Sequence, residues 1–252
     1  MHTLRLPSSL RPSSVADSHS TRVAVAKTLA VGGVVAYNWW VVVPFVPGLM
    51  PSVNGFFSDL EATGRPHAQL MSEADLAAGL LMVAAFLLRG SRAGGSVRRE
   101  WSWMVAFAVA GVVGGRYPYA CSEGLSASCR AMEWRLQLPI HHYVHILSGV
   151  AEFATLTTAA IIAMRRTRGS SDRMSGFYAG LVAVLAVGYP LLGVAYLTDR
   201  LGTLVEPIFF VAFSAMVLAQ VFEPVEPVSE PLSWAEPTAP VRGGPDHRVQ
   251  AS

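Results

Sequence analysis

Apolar residues run along this chain in blocks of roughly 20 positions, the number that an α-helix needs to cross a bilayer. Short polar segments separate the blocks. Six blocks predict six transmembrane helices over residues 22–46, 74–88, 101–119, 139–164, 176–197 and 201–222. The second block is the shortest, and a helix start near His67 would lengthen it. The pattern therefore predicts an all-α fold, a polytopic six-helix membrane bundle over residues 22–222.

The two ends of the chain differ from this central part. Residues 1–21 are rich in Ser and Arg, and the tail 223–252 is dense in Pro and Glu. Such segments bury too little apolar surface to offset chain entropy, so we expect both to be disordered.

Composition agrees with a membrane class. Hydrophobic residues make up 52% of the 252, charged residues only 14%, and mean hydropathy is +0.41. Soluble domains usually carry about 25% charged residues. Because lipid then surrounds most of the bundle, we expect membrane lipids as neighbours, while the oligomeric state stays open.

The basic residues predict the orientation of the bundle, since basic loops remain in the cytoplasm. If the N-terminus is inside, twelve Lys and Arg residues fall in the cytoplasmic segments before the tail and five in the opposite loops. We therefore expect a cell-membrane protein with both termini in the cytoplasm. The net charge of +2 then reflects topology, and no nucleic-acid partner is expected.

Histidines and acids gather on the predicted outer side. His67, His141, His142 and His145 map there, whereas the other three histidines lie near the chain ends. The outer acids are Asp59, Glu61, Glu73, Asp75, Glu123, Glu133, Asp199 and Glu206. Retention of basic residues inside explains part of the acidic bias, but it does not explain the histidines.

The segment PIHHYVHILSG predicts a metal site at the start of the fourth helix. His142 and His145 are spaced i, i+3, and His141 and His145 i, i+4, so their side chains share a helix face about 5–6 Å apart at Cβ. Two imidazoles and a carboxylate suit a divalent metal, with zinc the first expectation. Histidines at an interface also bind water without any metal, and that alternative stays open.

Nearby acids and hydroxyls complete the candidate site. Asp59 and Glu133 are candidate metal ligands and, with Ser58 and Glu152, candidate catalytic residues; Asp199 and Glu206 are further candidates as ligands. Glu152 lies near the bilayer middle, where a carboxylate is costly and is a functional candidate by default. The alternatives are that Glu152 pairs with Asn38 or a tyrosine in helix packing, and that Ser58 and Asp59 only cap a helix.

The only two cysteines, Cys121 and Cys129, lie in the second predicted outer loop. An oxidising compartment on that side would favour a disulfide, and two thiolates alone are too few for a metal site. The pair therefore predicts a small closed loop beside the histidine helix.

Several of these residues resemble a known family. The Ser58-Asp59-Leu60 step, the Cys121, Cys129 and Glu133 spacing, and the His142 and His145 pair followed by Ser148 resemble the actinobacterial branch of the membrane family labelled domain of unknown function 998. That resemblance implies six membrane helices and no assigned activity.

A weaker resemblance is to the membrane hydrolases that include alkaline ceramidases and adiponectin receptors. It would equate Ser58, Asp59 and the three histidines with the residues that surround zinc in those proteins. The chain departs from that pattern in its number of helices and in the position of its histidines.

Three functions remain open from the sequence. The first is a metal-dependent membrane enzyme, most simply a hydrolase, acting on an amphiphilic small molecule from the outer leaflet. The second is a biosynthetic enzyme that rearranges or cyclises a terpenoid or an aminoacylated molecule, which a histidine-poor site with paired acids would favour. The third is a membrane protein without enzymatic activity that senses a signal or binds a partner.

Overall fold

The computed structural model describes residues 14–49, 54–90, 94–169 and 172–224. Within them the chain forms seven α-helices: α1 Ser14–Tyr37, α2 Ala68–Gly90, α3 Gly95–Arg116, α4 Ala127–Trp134, α5 Ile140–Thr167, α6 Asp172–Thr198 and α7 Gly202–Phe222. Short 3-10 helices cover Trp39–Phe45, Ser58–Glu61 and Glu123–Leu125. No described residue belongs to a strand, so the all-α prediction is confirmed.

Five helical segments are long and apolar enough to cross a membrane: Ser20–Phe45, Ala68–Gly90, Ile140–Thr167, Arg173–Thr198 and Gly202–Phe222. They match five of the six apolar blocks in the sequence, and several such helices are typical of a multi-pass membrane protein. The remaining block coincides with α3, which carries Arg98, Arg99 and Glu100 near its start. Among the described residues, α3 is therefore the long helix that falls short of the same apolarity.

The long helices alternate in direction, so the bundle has two distinct ends. At one end, which we call the disulfide end, the loop containing Cys121 and Cys129 meets the segment between α1 and α2: the Thr63 amide donates to the Tyr119 carbonyl at 2.9 Å. At the other, the arginine end, the Arg166 guanidinium pairs with Glu100 and Glu223.

Helix α3 lies in the middle of the bundle, packed against α2 on one side and α5 on the other. Glycines permit the close approach to α2. A Cβ built on Gly79 would lie 2.7 Å from the backbone nitrogen of Val112, and one on Gly115 would collide with the backbone of Ser72 and Leu76. Small residues at such contacts let membrane helices approach without side chains between them.

Most predicted helix boundaries shift by a few residues. Helix α2 begins at Ala68, directly after His67, as the longer alternative for the second block predicted. Helix α1 begins at Ser14, inside the segment 1–21 that we expected to be disordered, and its apolar block ends in a 3-10 helix containing Pro44. Residues 1–13 and 225–252 lie outside the described ranges, so disorder there stays a prediction.

Candidate functional site

A chamber of about 580 Å³ lies inside the bundle, between α2, α3, α5, α6 and α7. Its walls are mainly apolar and aromatic, and they include Phe107, Phe153, Tyr189, Phe209 and Phe210. Glycines of α3, among them Gly111 and Gly114, leave space on one side. Enclosed apolar cavities between helices that hold a few polar groups are the usual form of a small-molecule site.

Five carboxyl groups line this chamber: Glu61, Asp75, Glu123, Glu152 and Glu206. His145 lines it as well, but none of the described lining residues is a lysine or an arginine. Intramembrane carboxyl groups are costly, and they are retained where they face a cavity or do chemistry. The chamber is thus rich in acids and poor in histidine.

Glu61 and Asp75 form a carboxyl pair within the chamber wall. Both lie in the chamber lining and interact with each other, and two carboxyl groups in one buried place disfavour the doubly charged state. The Trp39 indole donates to Asp75 Oδ1 at 2.8 Å and fixes its orientation. Glu61 lies in the loop before α2, where burial and the neighbouring Asp75 raise its pKa well above the ordinary value. We therefore expect the pair to share one proton.

The imidazole of His145 has a defined tautomer. Its Nδ1 lies 3.1 Å from the Gly114 carbonyl oxygen and 3.0 Å from that of Tyr117. Because carbonyls only accept, Nδ1 carries a proton, and in the neutral ring the lone pair then lies on Nε2. The Tyr119 ring packs on the imidazole with 4.0 Å between centroids. His145 is thus held in one orientation at the chamber wall, with Nε2 available as a base when the ring is neutral.

His142 has the opposite tautomer. The Ala120 amide donates to its Nδ1 at 3.3 Å, so the ring proton lies on Nε2, which donates to Glu133 Oε2 at 3.4 Å. The tyrosine hydroxyl of Tyr196 donates to the other Glu133 oxygen. His142 is fully buried and bonded at both nitrogens, which indicates that it holds α4 and α5 together.

Glu123, Glu133 and His142 form what we call the acid–histidine cluster. One ligand atom from each lies within 4.8 Å of the others. Glu123 is only 4% exposed, and its Oε2 is buried without a hydrogen-bond partner. Burial and the nearby charges of Asp59 and Glu133 raise the Glu123 pKa to about 8. For Glu133, burial is outweighed by hydrogen bonds from His142 and Tyr196, which lower its pKa.

Asp59 connects the loops of the disulfide end through hydrogen bonds. Its carboxylate accepts the Phe56 amide at 2.8 Å, the Ser122 hydroxyl at 2.9 Å and the Gly124 amide at 3.3 Å. These bonds occupy both oxygens and connect the first loop to the loop that Cys121 and Cys129 close with a disulfide. The predicted disulfide is confirmed. Asp59 is not among the chamber residues, so its geometry favours the structural reading over a role as ligand.

The other predicted residues divide between the chamber and the surface. Ser58, Ser148, Glu152 and Glu206 line the chamber, and Glu206 accepts the backbone amides of Phe57 and Ser58. Asn38, one suggested partner of Glu152, instead donates to Ser214 Oγ at 2.7 Å.

Two predicted ligands lie elsewhere. Asp199 pairs at the surface with Arg130, at 3.5 Å. His141 is half-buried and belongs neither to the chamber lining nor to the acid–histidine cluster. The histidines therefore do not converge as one ligand set: His145 faces the chamber, while His142 joins Glu123 and Glu133.

Sequence reasoning placed Glu61, Asp75 and Glu123 on this side but did not assign them to the site. The sequence did contain an indication for Asp75. This acid lies within an apolar helix, on the same face as Gly79 and Met82, which also line the chamber. No sequence pattern indicated that Tyr119 would pack on His145 or that backbone carbonyls would orient its ring.

Comparison with known proteins finds one family. A family model described as a protein of unknown function (DUF998) matches residues 30–222, which is more than half of the chain. No curated protein and no solved structure matches. The resemblance to alkaline ceramidases and adiponectin receptors therefore gains no support.

Proposed function

The chain belongs to the DUF998 family, whose description names no activity, and we propose from the chamber that it is a membrane enzyme using acid–base catalysis on an amphiphilic molecule. The observation that carries this proposal is the combination, around one chamber, of an imidazole whose Nδ1 faces two carbonyls and a pair of buried carboxyl groups that we expect to share a proton. These groups are a base and an acid that coexist before any substrate binds.

In the proposed reaction the substrate gains one proton and loses another. The Glu61 and Asp75 pair donates a proton to the substrate, and His145 Nε2 removes one from another position. Glu152, another carboxyl group of the chamber lining, exchanges protons between the two. Such a cycle yields an isomerised or cyclised product whose mass equals that of the substrate.

The chamber walls support an apolar substrate body. Phe153, Tyr189 and Phe209 pack on one another with ring centroids 5.2–5.8 Å apart, so they offer rigid aromatic faces. Aromatic faces attract positive charge, including charge that develops during a protonation-driven rearrangement. We prefer rearrangement to metal-dependent hydrolysis because the described lining of the chamber contains a single histidine, His145, and paired acids.

The test compares lipid extracts of cells that express the wild type and Asp75→Asn, by untargeted mass spectrometry. We expect the wild type to convert one compound into another of equal mass but different retention, and Asp75→Asn to lose that conversion. The matched control is Glu73→Gln on the same helix, since Glu73 is exposed and bonds only to Gln69 in its described contacts. Identical profiles for all three proteins would reject the proposal.

A metal-dependent hydrolase is the second candidate function, and the unpartnered Glu123 Oε2 favours it. Glu123, Glu133 and His142 would hold the ion, which would lower the pKa of a bound water to about 7. One feature opposes it. A metal on His142 Nε2 requires the ring proton on Nδ1, yet Nδ1 faces the Ala120 amide, which is itself a donor.

Elemental analysis of purified protein separates the two candidates. The hydrolase predicts stoichiometric zinc or another divalent metal in the wild type, its loss in Glu123→Gln, and a product that has gained water. The acid–base enzyme predicts no difference in metal content between the wild type, Glu123→Gln and Glu73→Gln.

The membrane topology completes the proposal. We propose that α3 also spans the membrane, as the sixth helix, because it packs against both α2 and α5 and its exposed arginines lie near its two ends. We further propose that the protein lies in the cell membrane with the arginine end in the cytoplasm, as the distribution of basic residues favours. To test the orientation, two reporters are fused after residue 252. We expect the reporter that works only in the cytoplasm to be active, and the reporter that works only outside the cell to be inactive.

A further inference from the structure

The chamber opens through one side of the bundle. Of the described residues that line it, three are exposed at the molecular surface: Val150, which is 58% exposed, Ala154 and Gly193. All three lie on facing stretches of α5 and α6, whereas the lining residues from the other elements are buried or half-buried. We call the gap between these stretches the window.

The window lies at the depth of the hydrocarbon. Val150 follows the start of α5 by ten residues, or about 15 Å along the helix. Gly193 precedes the end of α6 by five residues, or about 8 Å. A molecule that passes between them therefore comes from the bilayer and not from water.

Glycine keeps the window open from both sides. Cβ atoms built on Gly149 and Gly193 would meet no other atom within 4 Å, so both glycines face open space. By contrast, Gly79, Gly114 and Gly115 of the same bundle are in tight contact with neighbouring helices. The space at the window is a continuation of the chamber, because Gly149 and Gly193 both line it.

Charge indicates which head group the chamber accepts. Glu61, Glu152 and the other three acids surround a space whose described lining contains no lysine or arginine. A phosphate or carboxylate head would meet carboxyl groups on several sides, whereas an amine would be attracted to them and to the aromatic faces. A hydrocarbon chain extending through the window would remain in an apolar environment.

We propose that the substrate is an amphiphilic amine that reaches the chamber sideways from the lipid, through the window between α5 and α6. This inference rests on the proposed function for its view of the chamber as a substrate site. Its hydrocarbon chain occupies the window beside Val150 and Gly193, and its amino group meets the carboxyl groups inside.

The test uses a single thiol placed inside the chamber. The two native cysteines form a disulfide, so Ala108→Cys on α3 supplies the one free thiol. In protein reconstituted into bilayers, we expect a maleimide with a dodecyl chain to label this thiol faster than a maleimide with a trimethylammonium group. Ser148→Cys, an isosteric change at another chamber position, is the second variant in case Ala108→Cys does not fold.

Blocking the window is the decisive comparison. Adding Gly193→Leu should slow dodecyl labelling by about tenfold. The matched control is Gly180→Leu, a glycine of the same helix that also faces open space but does not line the chamber. Faster labelling by the charged reagent, or labelling indifferent to Gly193→Leu, would show access from water and overturn the proposal. Labelling by neither reagent would show a covered window, as in contact with a second copy, and would overturn it too.

The head group is tested by protection of the same thiol. Dodecylamine should slow labelling of Ala108→Cys more than dodecanol does, and dodecyl phosphate should protect least. Equal or better protection by the phosphate would contradict the amine. None of these labelling measurements requires turnover. The entry route can therefore be confirmed even if no equal-mass product is found, and it can be rejected even if that product is found.

Discussion

Two histidines three residues apart on one helix have different chemistry here, because different backbone groups face them. Carbonyl oxygens of Gly114 and Tyr117 accept from His145 Nδ1, whereas the Ala120 amide donates to His142 Nδ1. One ring is therefore left with an open acceptor in the chamber, and the other is used to bind Glu133.

This difference predicts opposite effects for the two residues. In His145→Gln the side-chain amide can still donate to the carbonyls, so we expect a folded protein whose equal-mass conversion falls by roughly 10²–10⁴, since its base is gone. In His142→Leu the buried Glu133 loses a donor, and we expect a loss of roughly 1–3 kcal/mol in stability. Thermal unfolding and lipid mass spectrometry of both variants check this. Equal loss of stability in the two would contradict the assignment.

The sequence predicted the importance of this helix start but not the division of roles. Spacing alone places His142 and His145 on one face, and it favoured a shared metal. The groups that separate them, Gly114, Tyr117 and Ala120, come from the end of α3 and the loop after it. Such contacts depend on how two helices pack, which no local pattern contains.

Glu123 predicts a pH dependence of stability. Its pKa rises from the ordinary 4.5 to about 8 in the folded protein, because it is buried beside Asp59 and Glu133. The folded state then binds more protons than the unfolded state, so stability is present below pH 4.5 and is lost as pH rises through 8. Glu133, whose pKa is lowered, acts in the opposite direction and only at acidic pH.

We therefore expect Glu123→Gln to match the wild type in mildly acidic solution and to exceed it increasingly as pH rises. The measurement is the midpoint of thermal unfolding for both proteins between about pH 5 and 9. Glu73→Gln is the control, since that exposed side chain should leave the wild-type profile unchanged. A constant difference across the pH range would exclude Glu123 as the titrating group.

At the scale of elements, the apolar blocks located the long helices, because the length needed to cross a bilayer is a strong constraint. The same apolar blocks were a weaker guide to α3. This helix carries Arg98, Arg99 and Glu100 in its first two turns, and it packs against neighbours on two sides. The chamber was not predictable either, since it is the space left where glycines replace larger side chains.

The close packing of α2 and α3 predicts that Gly79→Ala is strongly destabilising. The new Cβ would lie 2.7 Å from Val112 N and 3.0 Å from Ala108 O, and backbone atoms cannot turn aside as a side chain does. We expect a cost of roughly 1–3 kcal/mol or more, measured by thermal unfolding in detergent. Gly180→Ala on α6, which meets nothing within 4 Å, should be neutral or slightly stabilising. Equal tolerance of both changes would show that the helices do not approach so closely.

At the scale of the whole molecule, the two ends of the bundle are held in different ways. The disulfide end relies on loops that Asp59 and the disulfide fasten, and the open chamber lies beneath them. The arginine end is closed by a buried polar network that joins α3, α5, α6 and α7. The proposed chemistry thus lies towards the disulfide end, whereas the arginine end is structural.

The network predicts that Arg166 is the residue on which the arginine end depends. Its guanidinium bonds Glu100 at 2.8 Å and Glu223 at 2.7 Å, and Glu100 is fully buried. Removing the cation leaves a buried carboxylate without its partner, which costs roughly 3–5 kcal/mol, so Arg166→Met should unfold at a much lower temperature. Arg165→Met, a change at the exposed neighbour, should behave as the wild type. Glu100→Gln added to Arg166→Met should recover part of the loss, because the unpaired charge is then gone; no recovery would mean that Arg166 acts by packing and not by charge.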